Sequence, residues 1–184
     1  MHHHNSDLVT RESEDEFKKY IRDIPDFPTK GVIFKDITNL LKNGEVFKKA
    51  VDKIAYRFSQ QEIGIVCAVE ARGFIIGAAI AYALGAGFVP IRKKGKLPWH
   101  KHQKSYDLEY GTDELEIHID AISKGDHVLF VDDVLATGGT AKTAVDFIKQ
   151  MEGNLVCAAF LIELLEFQGR KKLEEVPVHA LIQY

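Results

Sequence analysis

An α/β fold with a mainly parallel central sheet flanked by helices is predicted by two features of this 184-residue chain. Short runs such as IGIVCAV, HVLFV and LVCAAFLI have the continuous hydrophobicity of strands buried on both faces. Between them lie segments whose apolar residues recur at helical spacing. Strands that alternate with helices form parallel crossovers, and ligands on such sheets bind beyond the carboxyl ends of the strands.

In chain order, MHHH at Met1 to His4 reads as a tag remnant, residues 1–12 as a flexible N-terminus and residues 13–184 as a single domain. Phe17, Tyr20, Ile21 and Ile24, at spacings of three and four, predict a short helix ended by Pro25. The next segment, IPDFPTKGVIFKD, is too rich in Pro and Gly for regular structure. Phe47, Ala50, Val51, Ile54, Ala55 and Phe58 form the stripe of a second helix, and Ile63 to Val69 is a buried strand. A loop at Glu70 to Gly73, a helix from Phe74 to Leu84 and a strand from Phe88 to Ile91 follow, then a polar and basic stretch from Arg92 to Ser105. Alternation from Tyr106 to Ile119 around Gly111-Thr112-Asp113 predicts a hairpin at the sheet edge. His127 to Val131 is a strand, Asp132 to Gly139 a loop, Thr140 to Met151 a helix, and Leu155 to Ile162 and Val178 to Tyr184 the last strands. Loops 70–73, 92–105 and 132–140 are expected to meet.

With 46% hydrophobic residues the chain has ample material for one packed core. Its 24 Lys and Arg against 27 Asp and Glu give no global basic field, which argues against a nucleic-acid partner and requires any anion to be held locally. Cys67 and Cys157 sit inside apolar runs and read as buried free thiols of a reducing compartment. No run reaches the ~20 apolar residues of a membrane span, and the N-terminus lacks a signal-peptide layout, so a cytoplasmic location is expected.

The segment HVLFVDDVLATGGTA carries the most chemistry. Ala136, Thr137, Gly138, Gly139 and Thr140, opening a helix, can aim several backbone amides and two hydroxyls at one phosphate. Asp132 and Asp133 just ahead of that cradle suit the hydroxyls of a sugar whose phosphate occupies it. The dinucleotide GxGxxG and Walker fingerprints are both missing. This segment resembles the phosphoribosyl pyrophosphate signature of type I phosphoribosyltransferases. The likeness covers roughly residues 15 to 184, and IPDFPTKGVIFKDIT, EARGF, RKKGKLP and SYDLEYG are similar to the adenine branch of that family.

The resemblance implies a type I phosphoribosyltransferase fold with a small hood at about residues 24–40, and transfer of the 5-phosphoribosyl group of phosphoribosyl pyrophosphate to adenine, giving AMP and pyrophosphate in purine salvage. It implies that Phe34 stacks on adenine, that the backbones of Ile33 and Lys35 read its edge, and that Val134 contacts the purine where Leu is also seen. Glu70, Ala71 and Arg72 would hold pyrophosphate, with a non-proline cis peptide at Glu70-Ala71. Arg92, Lys93, Lys94 and Lys96 would neutralise departing pyrophosphate, Lys96 foremost. Glu109 and Tyr110 match a closing loop, Glu109 as the acid/base group and Tyr110 as a substrate contact. Magnesium is implied through the substrate pyrophosphate, with no protein metal ligand, and a homodimer is common in the family. The alternatives are a regulator of the same fold that senses phosphoribosyl pyrophosphate or a purine, and the same transfer to another purine base. This chain departs from relatives at Trp99, His100, Lys101 and His102, read as an exposed, variable loop.

Overall fold

The computed structural model describes residues 14–107, 112–173 and 175–184, the side chains of residues 107 and 112 excepted. They form two compact units, one ending at Ala50 and the other running from Val51 to Tyr184.

In the first unit residues 14–18 are helical, and strands β1 (Arg22–Pro25) and β2 (Ile33–Asp36) pair antiparallel with Ile24 opposite Phe34. Two expectations are corrected here. The first helix stops before Ile24, because the cross-strand partner Phe34 outweighs a three-and-four spacing that short apolar runs share with strands. The Pro/Gly-rich segment is a hairpin, not irregular chain, since Pro28 and Gly31 fall in its connection. There Asp26 and Gly31 adopt φ of 56° and 90°, and the Asp26 carboxylate accepts the Gly31 amide at 2.7 Å. Helix α1 (Thr38–Lys42) follows, with the Asp36 carboxylate accepting the Thr38 amide at 2.9 Å and its hydroxyl at 2.8 Å. Helix α2 (Gly44–Phe58) starts where the Asn43 side chain accepts the Val46 amide at 3.2 Å, and the boundary between the units falls within it.

The second unit is built on a seven-stranded sheet: β3 (Ile65–Val69), β4 (Gly87–Lys93), β5 (Lys101–Asp107), β6 (Thr112–His118), β7 (His127–Leu135), β8 (Asn154–Glu163) and β9 (Val178–Gln183). Their order is β5-β6-β4-β3-β7-β8-β9. The neighbours from β4 to β9 are parallel, and the β5–β6 hairpin joins antiparallel at the β4 edge. Helix α3 (Arg72–Leu84) packs on β3 and β7, and helix α4 (Gly139–Gln150) packs on β7, β8 and the hairpin. The core between α4 and the sheet includes Phe130, Phe147, Ile148 and Phe160, all fully buried, with the Phe130 and Phe160 rings edge to face at 6.0 Å. Among the described residues no helix is long and apolar enough to cross a membrane.

Two loop boundaries move. Strand β7 runs on through Leu135, because β8 continues beside it and pairs Asp132 with Phe160, Val134 with Ile162 and Leu135 with Glu163. The loop expected from Asp132 therefore starts only at Ala136. The basic stretch is likewise cut into the end of β4, a turn at 94–100 and strand β5 from Lys101. Lys101 and His102 are strand residues, not part of a variable loop, since β6 satisfies their backbone, and polar side chains suit an edge strand. The short loops after β4, β3 and β7 thus end three adjacent parallel strands, as a ligand site at the carboxyl ends requires.

Truncating Phe130 opens a void between two buried rings, so Phe130→Ala is expected to lower unfolding free energy by about 3–5 kcal/mol in a urea titration.

Candidate active site

The last turn of strand before the β7 loop carries the two carboxylates. Asp132 and Asp133 are 9% and 6% exposed, and Oδ1 of Asp132 accepts the Asp133 amide at 2.9 Å. Burial, reinforced by the neighbouring Asp133 charge, pushes the Asp132 carboxyl well above the usual carboxylate range. Burial also raises Asp133, against the opposing pull of Arg72. Nε of Arg72 lies 2.6 Å from Oδ2 of Asp133, an ion pair without the alignment of a hydrogen bond. Gly73, next along α3, leaves room for the other acid: a Cβ there would stand 2.6 Å from Oδ1 of Asp132.

Beyond Leu135 the chain turns through Ala136, Thr137 and Gly138 into α4. Gly138 takes φ 80°, a left-handed conformation that frees the following amides to point at one place. The Lys142 amide and the Thr143 hydroxyl donate to the carbonyls of Gly138 and Gly139, at 2.9 and 3.1 Å, so the helix closes behind the loop. The 136–140 loop thus forms a cradle of helix-start amides and the Thr137 and Thr140 hydroxyls, donors of the kind that suit an anion.

The other two loops bring cations beside it. The Glu70-Ala71 peptide is cis, as the resemblance implies. The Glu70 carboxylate accepts Nη2 of Arg92 at 3.2 Å and the Lys93 amide at 2.5 Å, which ties the β3 loop to the end of β4. Arg92 also donates from Nη1 to the Lys96 carbonyl at 3.2 Å, and its Nε is buried with no hydrogen-bond partner among the described residues. Lys93 pairs with Asp113 at 2.9 Å and Lys94 with Glu114 at 3.0 Å. The hydrogen bond to Asp113 raises the Lys93 pKa, so that ammonium stays charged. Lys96 is exposed and has no ion-pair partner among the described residues.

The structure therefore gathers Glu70, Ala71, Arg72, Arg92, Asp132, Asp133 and the 136–140 cradle on adjacent strand ends of one unit. Val134 is half-buried on β7. Ile33, Phe34 and Lys35 lie on β2 of the other unit, where Ile33 is 54% exposed, Phe34 meets Phe27 edge to face at 5.2 Å and Lys35 pairs with Asp23 at 2.8 Å. Glu109 and Tyr110 lie outside the described residues.

Two supporting clusters escape a reading of the sequence. Glu163, ending β8, binds Arg170 through Nε at 2.5 Å and Nη2 at 2.6 Å and accepts Gln183 at 2.8 Å. Burial opposes ionisation of Glu163, but Arg170 and Gln183 hold its pKa below the usual value. The segment pinned there presses Gly169 on the cradle: a Cβ at Gly169 would overlap the Ala136 carbonyl, and one at Gly138 would stand 2.6 Å from the Gly169 carbonyl. The Gly-Arg pair after an acidic strand end is the one sequence hint. The second cluster centres on Glu116, whose place in the alternation Leu-Glu-Ile-His-Ile predicts an outward side chain. It is fully buried, accepts the amides of Gly95 (2.8 Å) and Leu97 (3.4 Å) and Nε2 of Gln103 (2.7 Å), and pairs with Nζ of Lys101 (3.0 Å). Burial opposes ionisation, but these partners, Gly95 first, bring its pKa down to about 2.

An acid pair, a helix-opening loop rich in amide and hydroxyl donors and a cationic turn on one parallel sheet are chemically suited to a phosphorylated sugar. Consistently, residues 37–179 match the family model described as the phosphoribosyl transferase domain. An adenine phosphoribosyltransferase of Halothermothrix orenii is 55% identical over 168 residues, 91% of this chain and 99% of that one. The crystal structure of adenine phosphoribosyltransferase from Thermoanaerobacter pseudethanolicus superposes with a TM-score of 0.90 at 46% identity, covering 92% of this chain and 99% of the other. The Saccharomyces cerevisiae enzyme, complexed with D-2,5-dideoxy-2,5-imino-altritol 1,6-bisphosphate and adenine, matches with a TM-score of 0.87 at 38% identity, covering 94% and 99%. The chain belongs to the adenine phosphoribosyltransferase family.

A raised carboxyl pKa makes folding less favourable as pH climbs from the ordinary value through the folded one, because the unfolded chain loses its proton first. Asp132→Asn removes that penalty and is expected to raise unfolding free energy at neutral pH, measured by urea titration. The gain should shrink toward zero in acid, and a variant less stable than wild type at pH 7 contradicts the assignment. Gly169→Ala should instead disturb the cradle and weaken binding of ribose 5-phosphate by roughly tenfold or more in calorimetry, the scale on which about 1 Å of misplacement acts.

Proposed function

We infer that this chain transfers the 5-phosphoribosyl group of phosphoribosyl pyrophosphate to adenine, releasing AMP and pyrophosphate, a purine-salvage reaction. The observation that carries this reading is the continuous β7–α4 unit, an acid pair followed by an amide and hydroxyl cradle, in a chain 55% identical to an adenine phosphoribosyltransferase over 91% of its length.

The assigned roles follow the chemistry of each group. Ala136, Thr137, Gly138, Gly139 and Thr140 hold the 5-phosphate by amides and hydroxyls. Asp132 and Asp133 accept the ribose hydroxyls, and those donors favour the ionised carboxylates that burial disfavours. Ala71, Arg72 and Arg92 bind pyrophosphate, and Lys96 meets the charge that builds on it as the bond from carbon 1 breaks. Glu70 serves that site by holding Arg92 with its carboxylate rather than by touching the anion. The purine nitrogen N9 takes that carbon, and Glu109 handles the purine proton, with Tyr110 next to it in the sequence. For the base, Phe34 supplies an aromatic face, the backbones of Ile33 and Lys35 polar edges and Val134 an apolar contact.

Among the described residues no group of three or more His, Cys, Asp or Glu is placed to hold a metal ion. Magnesium would be carried by pyrophosphate oxygens and water. When bound, the ion neutralises the leaving group's charge. A homodimer is consistent with the exposed Ile75 (46%) and Tyr82 (90%) on α3. A cytoplasmic location accords with two buried free cysteines.

The test supplies phosphoribosyl pyrophosphate and magnesium with adenine, hypoxanthine, guanine or xanthine in turn. AMP from adenine alone is expected. Nucleotide from another base overturns the base assignment, and donor binding without turnover points to the regulator. Glu109→Ala is expected to lower kcat by on the order of a hundredfold while donor binding persists.

A further inference from the structure

We propose that Glu116 is the positioning residue of the turn between β4 and β5 and, through that turn, of the Lys96 ammonium. The proposal rests on the reading that Lys96 stabilises departing pyrophosphate. Glu116 itself touches no substrate; it lies within the sheet, opposite Arg92 of β4 on one side and Gln103 of β5 on the other.

A fully buried carboxylate flanked by the buried Leu115 and Ile117 costs free energy unless its oxygens are occupied. Here both are. Oε1 accepts from the Gly95 amide and from Gln103, while Oε2 accepts from the Leu97 amide and pairs with Lys101. Gly95 and Leu97 are the two residues that flank Lys96. One carboxylate thus holds the peptide before Lys96 and the peptide after it. The turn is closed further by the Lys96 amide donating to the Lys93 carbonyl at 3.2 Å, and by Nζ of Lys101 donating to the Leu97 carbonyl at 3.1 Å. Gly95, at φ 79°, supplies the left-handed step that lets both flanking amides face inward. The outcome is a Lys96 whose backbone is fixed while its ammonium stays exposed. A cation presented this way needs little reorganisation when charge develops on the leaving group.

The carboxylate chemistry matters as well as the shape. All four partners of Glu116 are donors, whereas a carboxamide offers one accepting oxygen and one donating nitrogen. Glu116→Gln keeps the volume but sets a donor against two donors, which releases one side of the turn.

The experiment measures steady-state kinetics and thermal unfolding of wild type, Lys96→Ala, Glu116→Gln and the double variant with adenine, phosphoribosyl pyrophosphate and magnesium. Glu116→Gln is expected to lower kcat/KM for the donor by roughly tenfold to a hundredfold, with KM for adenine unchanged. Added to Lys96→Ala it should cause no further loss, because the group it positions is already gone. Losses that multiply in the double variant, or wild-type turnover by Glu116→Gln, overturn the positioning role. Full activity of Lys96→Ala instead overturns the reading of Lys96, and the proposal with it. Should Glu116→Gln fail to fold, Gln103→Leu and Lys101→Met each remove one of the four donors. Each is expected to give a partial loss that vanishes in the Lys96→Ala background, and a loss that persists there sinks the proposal.

Discussion

Two carboxylates buried side by side at the end of the central β7 strand are the constraint that organises this protein. An ionised carboxylate taken out of water is destabilising unless a cation or several donors meet it. Asp132 and Asp133 have one nearby guanidinium, that of Arg72, between them. Their carboxyl pKa values are raised accordingly, so the unliganded site is poorly balanced for two negative charges. In the proposed complex, a ribose with free hydroxyls would repair that deficit by donating to both acids. Much of the desolvation has already happened on folding, and the ligand supplies the missing donors, as expected of a preorganised site. The close approach of α3 follows from the same need, because only a residue without a side chain at Gly73 leaves Asp132 its place.

The 136–140 loop, proposed to hold the phosphate, is built on the opposite device. Its donors are neutral amides and hydroxyls, which need no counter-charge of their own, so their aim depends on the backbone alone. That explains the reinforcement behind the cradle. The Leu164 amide donates to the Leu135 carbonyl at 2.9 Å, Gly169 seats against Ala136 and Gly138, and the Glu163–Arg170 pair with Gln183 fixes the chain on the far side. The bond to Leu135 couples the last residue of β7 to the residue that follows β8, and it extends the ladder by which β8 already holds Asp132 and Val134.

Repeating patterns of chemistry were legible in the sequence, and elements whose identity depends on a distant partner were not. The runs at the centre of β3, β7 and β8 are apolar, and the Asp-Asp to Thr-Gly-Gly-Thr succession states its chemistry locally. By contrast, β1 and β2 contain Pro25 and border a Pro/Gly turn, and only the pairing of Ile24 with Phe34 makes them strands. The extension of β7 past Asp132 is imposed by β8, whose length sequence pattern cannot transmit. Glu116 is the sharpest case. An acid in a period-two alternation reads as solvent-facing, and its burial makes sense only once the turn at 94–97 supplies two amides and β5 supplies Gln103 and Lys101.

The same partners explain how an acidic chain, with net charge −3, can handle a polyanion. Free cations scattered over the surface would be screened and unspecific. Here Arg92 is committed to Glu70, Lys93 to Asp113 and Lys94 to Glu114, so three of the four positive groups in RKKGK serve first to hold the turn and its neighbouring strands together. Exposed pairs of this kind add little stability each, but each fixes a direction in the backbone that leads to Lys96. Among the described residues the local field is therefore set by the Lys96 ammonium, which has no ion-pair partner there, on a rigid support, with Arg72 balanced against Asp133 across the strand ends. Such a site attracts a phosphorylated ligand weakly at long range and strongly at contact. Discrimination then rests on geometry, which the buried carboxylates of Glu116, Asp132 and Glu163 impose from beneath.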